Sequence, residues 1–303
     1  GIYLFSSSNN TITSNTCNNN YSDCIYLEDS SNNTVTDNTC NNNDYGIYIG
    51  DTSNNNTVTD NTCNNNDYGI YLFSSSNNTI TGNTCYNNTT YGIYLESSSI
   101  NTVTGNTCND NDDSGIYLFG SSGNAVTCNT CNNNNFYGIN LSYSSNNNTV
   151  TGNACSNSNC GIFLESSNNN TITGNTCYNN TTYGIYLESS NNNNTITGNT
   201  CNNNNYYGIN LSYSSNNTIT GNTCNNNDCG IFLDESSNNT ITGNTCIRGT
   251  GLTTDYTTSQ YTIRIAYTYN NYNLIAMNNC MGKAVTNEGG TGNTLVNNKF
   301  DAT

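Results

Sequence analysis

Proline and histidine are absent from the sequence, and only four of its 303 residues are basic. The lack of proline leaves every backbone N–H free to donate, as a chain built from paired strands requires. The four cations, Arg248, Arg264, Lys283 and Lys299, all follow residue 246, and the net charge is −16. No basic patch is available, which argues against nucleic acid and anionic membranes as partners. No apolar run approaches the ~20 residues that span a bilayer. Hydrophobic residues make up 32% and charged residues 8% of the chain, a balance that by itself suggests a polar, low-complexity or disordered polypeptide.

Periodicity overrides that suggestion. The phrase Thr171-Ile172-Thr173-Gly174-Asn175-Thr176-Cys177 recurs, ending at Cys17, Cys40, Cys63, Cys85, Cys108, Cys131, Cys155, Cys177, Cys201, Cys224 and Cys246. Successive steps are 22 to 24 residues, the mark of a solenoid. A second phrase, Gly-Ile-Tyr-Leu, recurs in phase, as at Gly69–Leu72 and Gly184–Leu187. Strand alternation turns Ile172, Cys177, Ile185 and Leu187 inward and Thr171, Thr173, Thr176, Tyr186 and Glu188 outward. Neither run could bury its apolar face alone, so coils must stack about 4.8 Å apart into Ile, Leu and Cys ladders. The expected fold is all-β, a single β-solenoid of about 13 coils with 22–24 residues each. Residues 1–246 form the regular coils; residues 247–303 hold an irregular loop, Ile247–Gln260, and C-terminal coils in which Phe300 takes the cysteine position. Near-copies 70 and 69 residues apart, such as Gly138–Tyr143 with Gly208–Tyr213, indicate growth by duplication of three-coil blocks.

The repeated Asn-Asn-Thr-Ile-Thr-Gly-Asn-Thr, with Tyr-Gly-Ile-Tyr-Leu, resembles the right-handed parallel β-helix repeats of the NosD and carbohydrate-binding/sugar-hydrolase families. The ending Gly290–Phe300 is similar to their C-terminal coil, and the resemblance covers nearly the whole chain. It implies a right-handed β-helix. Cysteine systematically stands where those families carry isoleucine. Such repeats abound in surface proteins of methanogenic archaea, and the cysteine-rich form resembles their cell-sheath proteins.

Four features bear on function. The cysteine ladder (Cys17, Cys40, Cys63, Cys85, Cys108, Cys131, Cys177, Cys201, Cys246) is read as inert apolar filler, without metal or other cofactor. The extra cysteines Cys160 and Cys229 follow ladder cysteines by 5 residues, so corner bridges Cys155–Cys160 and Cys224–Cys229 are expected. Cys24 follows its ladder cysteine by 7 residues. The outward aromatic stripe, Tyr3, Tyr26, Tyr48, Tyr71, Tyr94, Tyr117, Phe163, Tyr186 and Phe232, exceeds the apolar patch usual on a monomer and suggests a subunit contact or sugar stacking. Sequons at Asn9, Asn32, Asn77, Asn169 and Asn238 are candidate glycosylation sites. With the acidity and cysteine content they point to an extracellular or cell-surface protein.

No catalytic residues are expected. Asp23, Asp44, Asp67 and Asp228 recur singly at turns, Asp110, Asp112 and Asp113 read as a solvated turn, and the coils hold no Lys, Arg or His to assist sugar chemistry. The function expected is therefore non-catalytic and structural. The chain would self-assemble through its solenoid ends and aromatic face into a homo-polymeric sheath, surface layer or filament. A carbohydrate-binding or polysaccharide-processing β-helix, with glycans as partners, is the alternative. The Thr-x-Thr ladder (Thr11/Thr13, Thr79/Thr81, Thr195/Thr197) adds a distant third, an ice-binding solenoid.

Overall fold

Short β-prone runs separated by polar corners give strands too short to stand alone, and each is held by the same run one repeat away. In the computed structural model, which describes residues 1–247, 261–281 and 286–300, these strands form two compact units, Gly1–Ala154 and Cys155–Thr303. Both are parallel β-solenoids, and no helix occurs among the described residues. The loop expected at Ile247–Gln260 lies, beyond Ile247, outside the described residues.

In the first unit each turn carries a long strand, a three-residue strand and a single-residue bridge, as in Tyr68–Phe73, Thr79–Thr81 and Thr84. Pairing is in register, so like residues stack: Ile47 on Ile70 on Ile93, Tyr48 on Tyr71 on Tyr94, and Val58 on Ile80 on Val103. From Ile25 onward the inward Ile, Leu, Val and Cys columns of this unit are fully buried. Enclosing one Ile or Leu contributes about 1.5–3 kcal/mol, and a turn offers few of them. The polar corners therefore matter as much as the core.

Those corners are asparagine ladders. Asn38, Asn61, Asn83, Asn106, Asn129 and Asn153 are almost wholly buried. Each Oδ1 accepts both the backbone N–H and the Nδ2 of the asparagine one turn before, as Asn61 does from Asn38 at 3.0 Å and 3.0 Å. Parallel ladders run through Asn33, Asn56, Asn78, Asn101 and Asn124, and through Asn43, Asn66, Asn88, Asn111 and Asn134. The corner thus satisfies backbone donors that a tight bend would otherwise orphan. Beside the ladder the chain needs a left-handed residue: Gly105 has φ +64°, and Asp37 and Asp60 hold the same place at φ 55°.

A second glycine column is required by contact. A Cβ on Gly92 would lie 2.6 Å from the Gly115 carbonyl oxygen and 2.9 Å from Cys108 Cβ. Gly46 and Gly69 lie equally close under Cys63 and Cys85.

The second unit repeats the plan from Cys160–Glu165 to Cys229–Asp234, with Ile162, Ile185, Ile209 and Ile231 stacked in the core. Its register passes from Cys229–Asp234 to Tyr261–Ile265, Ile231 pairing with Ile263. Asn279–Cys280 pairs with Lys299–Phe300, which places Phe300 opposite Cys280, as expected.

Candidate functional site

The long strands present one outer face, and in the first unit tyrosine dominates it. Tyr3, Tyr26, Tyr48, Tyr71, Tyr94 and Tyr117 form a column whose ring centroids are 5.1, 4.5, 5.3, 4.8 and 5.2 Å apart. A second column, Tyr45, Tyr68 and Tyr91, comes from the residue before each column glycine and leans against the first. Tyr45 lies 5.7 Å from Tyr71, and Tyr91 lies 4.9 Å from Tyr117. Sequence reasoning missed this column, because simple alternation counts from the inward isoleucine. Glycine and isoleucine are consecutive buried residues, so alternation slips by one at that point and the preceding tyrosine faces outward.

The second column changes the character of the stripe. Exposure falls to 9% at Tyr117, against which Tyr91 leans, while Tyr3 remains 59% exposed. Tyr26 and Tyr48, Tyr71 and Tyr94, and Tyr94 and Tyr117 stack at 10°, 13° and 15° and so turn edges and hydroxyls outward, whereas Tyr48 meets Tyr71 edge-on at 80° and Tyr3 is tilted 40° to Tyr26. Two of the hydroxyls meet a carboxylate that is two residues further on in the next turn. Tyr3 Oη donates to Glu28 Oε2 at 2.5 Å, and Tyr71 Oη donates to Glu96. The neighbouring carboxylate and partial burial hold these phenols protonated. Tyr3 is pushed up to about 12, chiefly by its bond to Glu28, and Tyr71 is raised further, chiefly by burial and then by Glu96.

In the second unit Phe163, Tyr186 and Phe232 continue the pattern, but Asn210 stands between the last two. Tyr207 folds over that slot, stacking on Phe232 at 4.3 Å and lying 5.5 Å from Tyr183. Burial pushes Tyr207 up to about 12. Arg264 follows on the same face. It packs over Phe232 at 5.5 Å and Tyr261 at 5.4 Å, and donates through Nε and a terminal nitrogen to Glu288 at 2.9 and 3.0 Å. Asp234, Glu235, Tyr267, Thr268, Tyr269 and Glu288 line an open depression of about 480 Å3 in this region. Partial burial raises the Asp234 carboxyl, with Glu235 adding to the shift and Arg264 opposing it.

The thiols divide into classes that the repeat text alone does not separate. Cys63, Cys85, Cys108, Cys131, Cys177 and Cys201 lie fully buried in the inner columns, and burial pushes Cys63, Cys108 and Cys201 well up. Cys40 belongs to that column but is disulfide-bonded to Cys24. Cys24 occupies the close-contact glycine position, one turn beneath Cys40, as Gly46 sits beneath Cys63. Its Cβ therefore falls where bonding is the alternative to a clash. The corner bridges Cys155–Cys160 and Cys224–Cys229 are not formed in this structure. Cys155 and Cys224 point into the core, whereas Cys160 and Cys229 take the outward tyrosine position and pair in register with Tyr183 and Tyr207. Cys17 is partly exposed and Cys128, at a left-handed corner with φ 56°, is exposed. Cys246 completes the second unit's inner column.

The sequon asparagines Asn9, Asn32, Asn77, Asn169 and Asn238 all sit exposed at left-handed corners, with φ between 57° and 63°. Among the described residues, no three His, Cys, Asp or Glu side chains converge on a point that could hold a metal ion. No helix is long and apolar enough to cross a membrane, again among the described residues.

A parallel solenoid with a stacked tyrosine face and asparagine-laddered corners defines the class: a β-helix repeat protein. The family described as right handed beta helix region matches residues 1–155, and that described as periplasmic copper-binding protein (NosD) matches residues 141–303. The chain belongs to the right-handed β-helix proteins of the NosD type. No curated protein matches it. Among solved structures it is similar to the mannuronan C-5 epimerase AlgE4 A-module of Azotobacter vinelandii, with 16% identity, TM-score 0.71, and 97% of this chain and 90% of that one covered. It is also similar to the Dettilon tailspike protein, at 18% identity and TM-score 0.71, covering 87% of this chain and 59% of that one. A third is the DFA-IIIase of Arthrobacter chlorophenolicus A6, at 12% identity and TM-score 0.63, covering 77% and 66%.

These likenesses overturn the expectation that the chain is not an enzyme, because epimerases and another sugar-acting enzyme share its fold. At 12–18% identity they establish the fold alone and assign no activity. The expected sheath, filament and archaeal setting finds no support among them.

Proposed function

We propose that this protein is an exported β-helix that binds a carbohydrate polymer along its long-strand face. The carrying observation is the double tyrosine column with its carboxylate-bound hydroxyls. A polysaccharide is an extended ribbon that repeats its hydroxyls at every ring. Turns spaced about 4.8 Å apart offer phenols on a comparable repeat, with carboxylates at Glu28 and Glu96 among them. Ring edges and hydroxyls facing outward suit hydrogen bonding to sugar hydroxyls along a chain, with stacking left to the less covered rings such as Tyr3. Support also comes from neighbours of similar fold named for mannuronan epimerisation and from the periplasmic description of the NosD family, which favours export. The depression beside Arg264 is where processing of a bound polymer would be sought.

Copper, named in that family description, does not fit the residues present. Histidine is lacking from the sequence, and the buried thiols are stacked along columns rather than gathered around a point. No step is routed through it.

Affinity electrophoresis against a panel of soluble polysaccharides tests the proposal. Tyr71→Ala with Tyr94→Ala should weaken retardation by at least about tenfold in apparent Kd, the scale of losing two buried aromatic contacts. Equal retardation of the variant and the parent protein would rule out the tyrosine face as the binding site.

A further inference from the structure

We infer that the polymer taken by the long-strand face is uncharged. This rests on the carbohydrate reading above and adds the class of glycan. Across residues 1–154 there is no Lys, Arg or His, so no side-chain cation can pair with a sugar carboxylate or sulfate on the first unit's face. The side-chain charges that border these tyrosines are negative. Glu28 and Glu96 accept from Tyr3 and Tyr71, and Asp51 lies close enough to the Tyr26 and Tyr48 phenols to raise them. The phenols stay protonated, so they contribute hydrogen-bond donors without charge, and the carboxylates contribute acceptors. A column of phenol donors with acceptors at Glu28, Asp51 and Glu96 matches the hydroxyls of a neutral glycan, which both give and accept.

A uronate polymer meets the opposite situation. Mannuronan carries a carboxylate on every sugar, and a strand lying along this face would place those groups in line with Glu28 and Glu96. Like charges brought together on a low-dielectric surface disfavour the complex, and no counter-charge on the strip relieves them. In the second unit the cation seen on the face, Arg264, is already paired bidentately with Glu288 and stacked between Phe232 and Tyr261. It cannot turn to a uronate without giving up those contacts. The resemblance in fold to a mannuronan epimerase therefore does not extend to its polyanionic substrate.

The test uses the full chain at low ionic strength with a chelator present, so that no divalent ion bridges carboxylates. Soluble neutral glucan, mannan, xylan and fructan are compared with alginate and polygalacturonate of similar length, by affinity electrophoresis and calorimetry. At least one neutral polymer should bind tenfold or more tightly than either polyanion. The gap should narrow as salt is raised, and narrow again in a variant carrying Glu28→Gln with Glu96→Gln, where glutamine still accepts from the phenols. Alginate binding as tightly as the best neutral polymer would overturn the inference and leave the carbohydrate reading standing. So would a preference for neutral polymer that neither salt nor the glutamine variant changes. Binding to no polymer would overturn both.

Discussion

Asn106 closes five side-chain hydrogen bonds: Nδ2 donates to Ile80 O, Thr104 O and Asn129 Oδ1, while Oδ1 accepts from the backbone and side chain of Asn83. Asn106→Ala would take the acceptor from the Asn83 backbone N–H and the amide donor from the Ile80 carbonyl in a dry corner, while the Asn83 amide keeps its bonds to Val58 O and Thr81 O. We expect a loss of about 2–4 kcal/mol, measurable by urea denaturation, against about 1 kcal/mol for alanine at the exposed Asn77, where only the left-handed φ of 57° resists alanine. The abundance of asparagine was plain in the sequence, but its role was not. A composition that reads as disordered is the signature of a ladder only once identical amides are known to stack. The thiols give a similar lesson. Separation along the chain suggested Cys155–Cys160, whereas the bond that forms, Cys24–Cys40, joins residues 16 apart across two turns. The clue was present in the text, since Cys24 replaces the glycine of Gly-Ile-Tyr-Leu. On native protein, iodoacetamide should label Cys128 quickly and Cys17 slowly, and the buried inner-column thiols such as Cys85 and Cys108 only after unfolding. Rapid labelling of Cys108 in folded protein would contradict the packed column.

At the scale of the strand, inward faces were legible because a period of two is a strong signal: Ile172, Ile185 and Leu187 are fully buried, and Thr171 and Thr173 face outward. Alternation failed only at the glycine before each inward isoleucine, where two consecutive buried residues shift the count and hide the Tyr45, Tyr68 and Tyr91 column. The long strand therefore carries more packed rings than its text suggests. Burial raises Tyr45, Tyr68 and Tyr91 as well as Tyr71, and pushes Tyr207 up to about 12. A phenol with a raised folded pKa binds its proton more tightly folded than unfolded. Its stabilisation is complete below the ordinary phenol pKa of about 10 and is lost as pH rises from there through the folded value. Stability should thus be insensitive to Tyr titration up to about pH 10 and fall steeply toward pH 12. Absorbance at the tyrosinate band should then rise together with loss of β-sheet circular dichroism. Full tyrosinate formation before any loss of sheet signal would show that the columns are not packed as described.

At the scale of the whole molecule, each repeat contacts its neighbours through the same registers, so stability in either unit is close to a sum over turns. Removing Asn64–Cys85 joins Cys63 to Tyr86 in phase and deletes a single turn of the first unit. This variant should still fold, with a melting temperature only a few degrees lower, whereas removing half that length should abolish the sheet signal by throwing side chains onto the wrong faces. The ladders have a further consequence, one measured in time rather than in energy. Asparagine is a residue prone to hydrolytic ageing, and a chain this rich in it would seem short-lived. Ladder amides such as Asn83 and Asn106 are held at both ends, sealed from water and fixed to the backbone of the turns beside them. Corner asparagines such as Asn32 and Asn77 stand in water. Ageing should therefore write itself along the outer corners alone, adding one negative charge per event to an already acidic surface. The interior would keep its original lettering for as long as the coils stay wound.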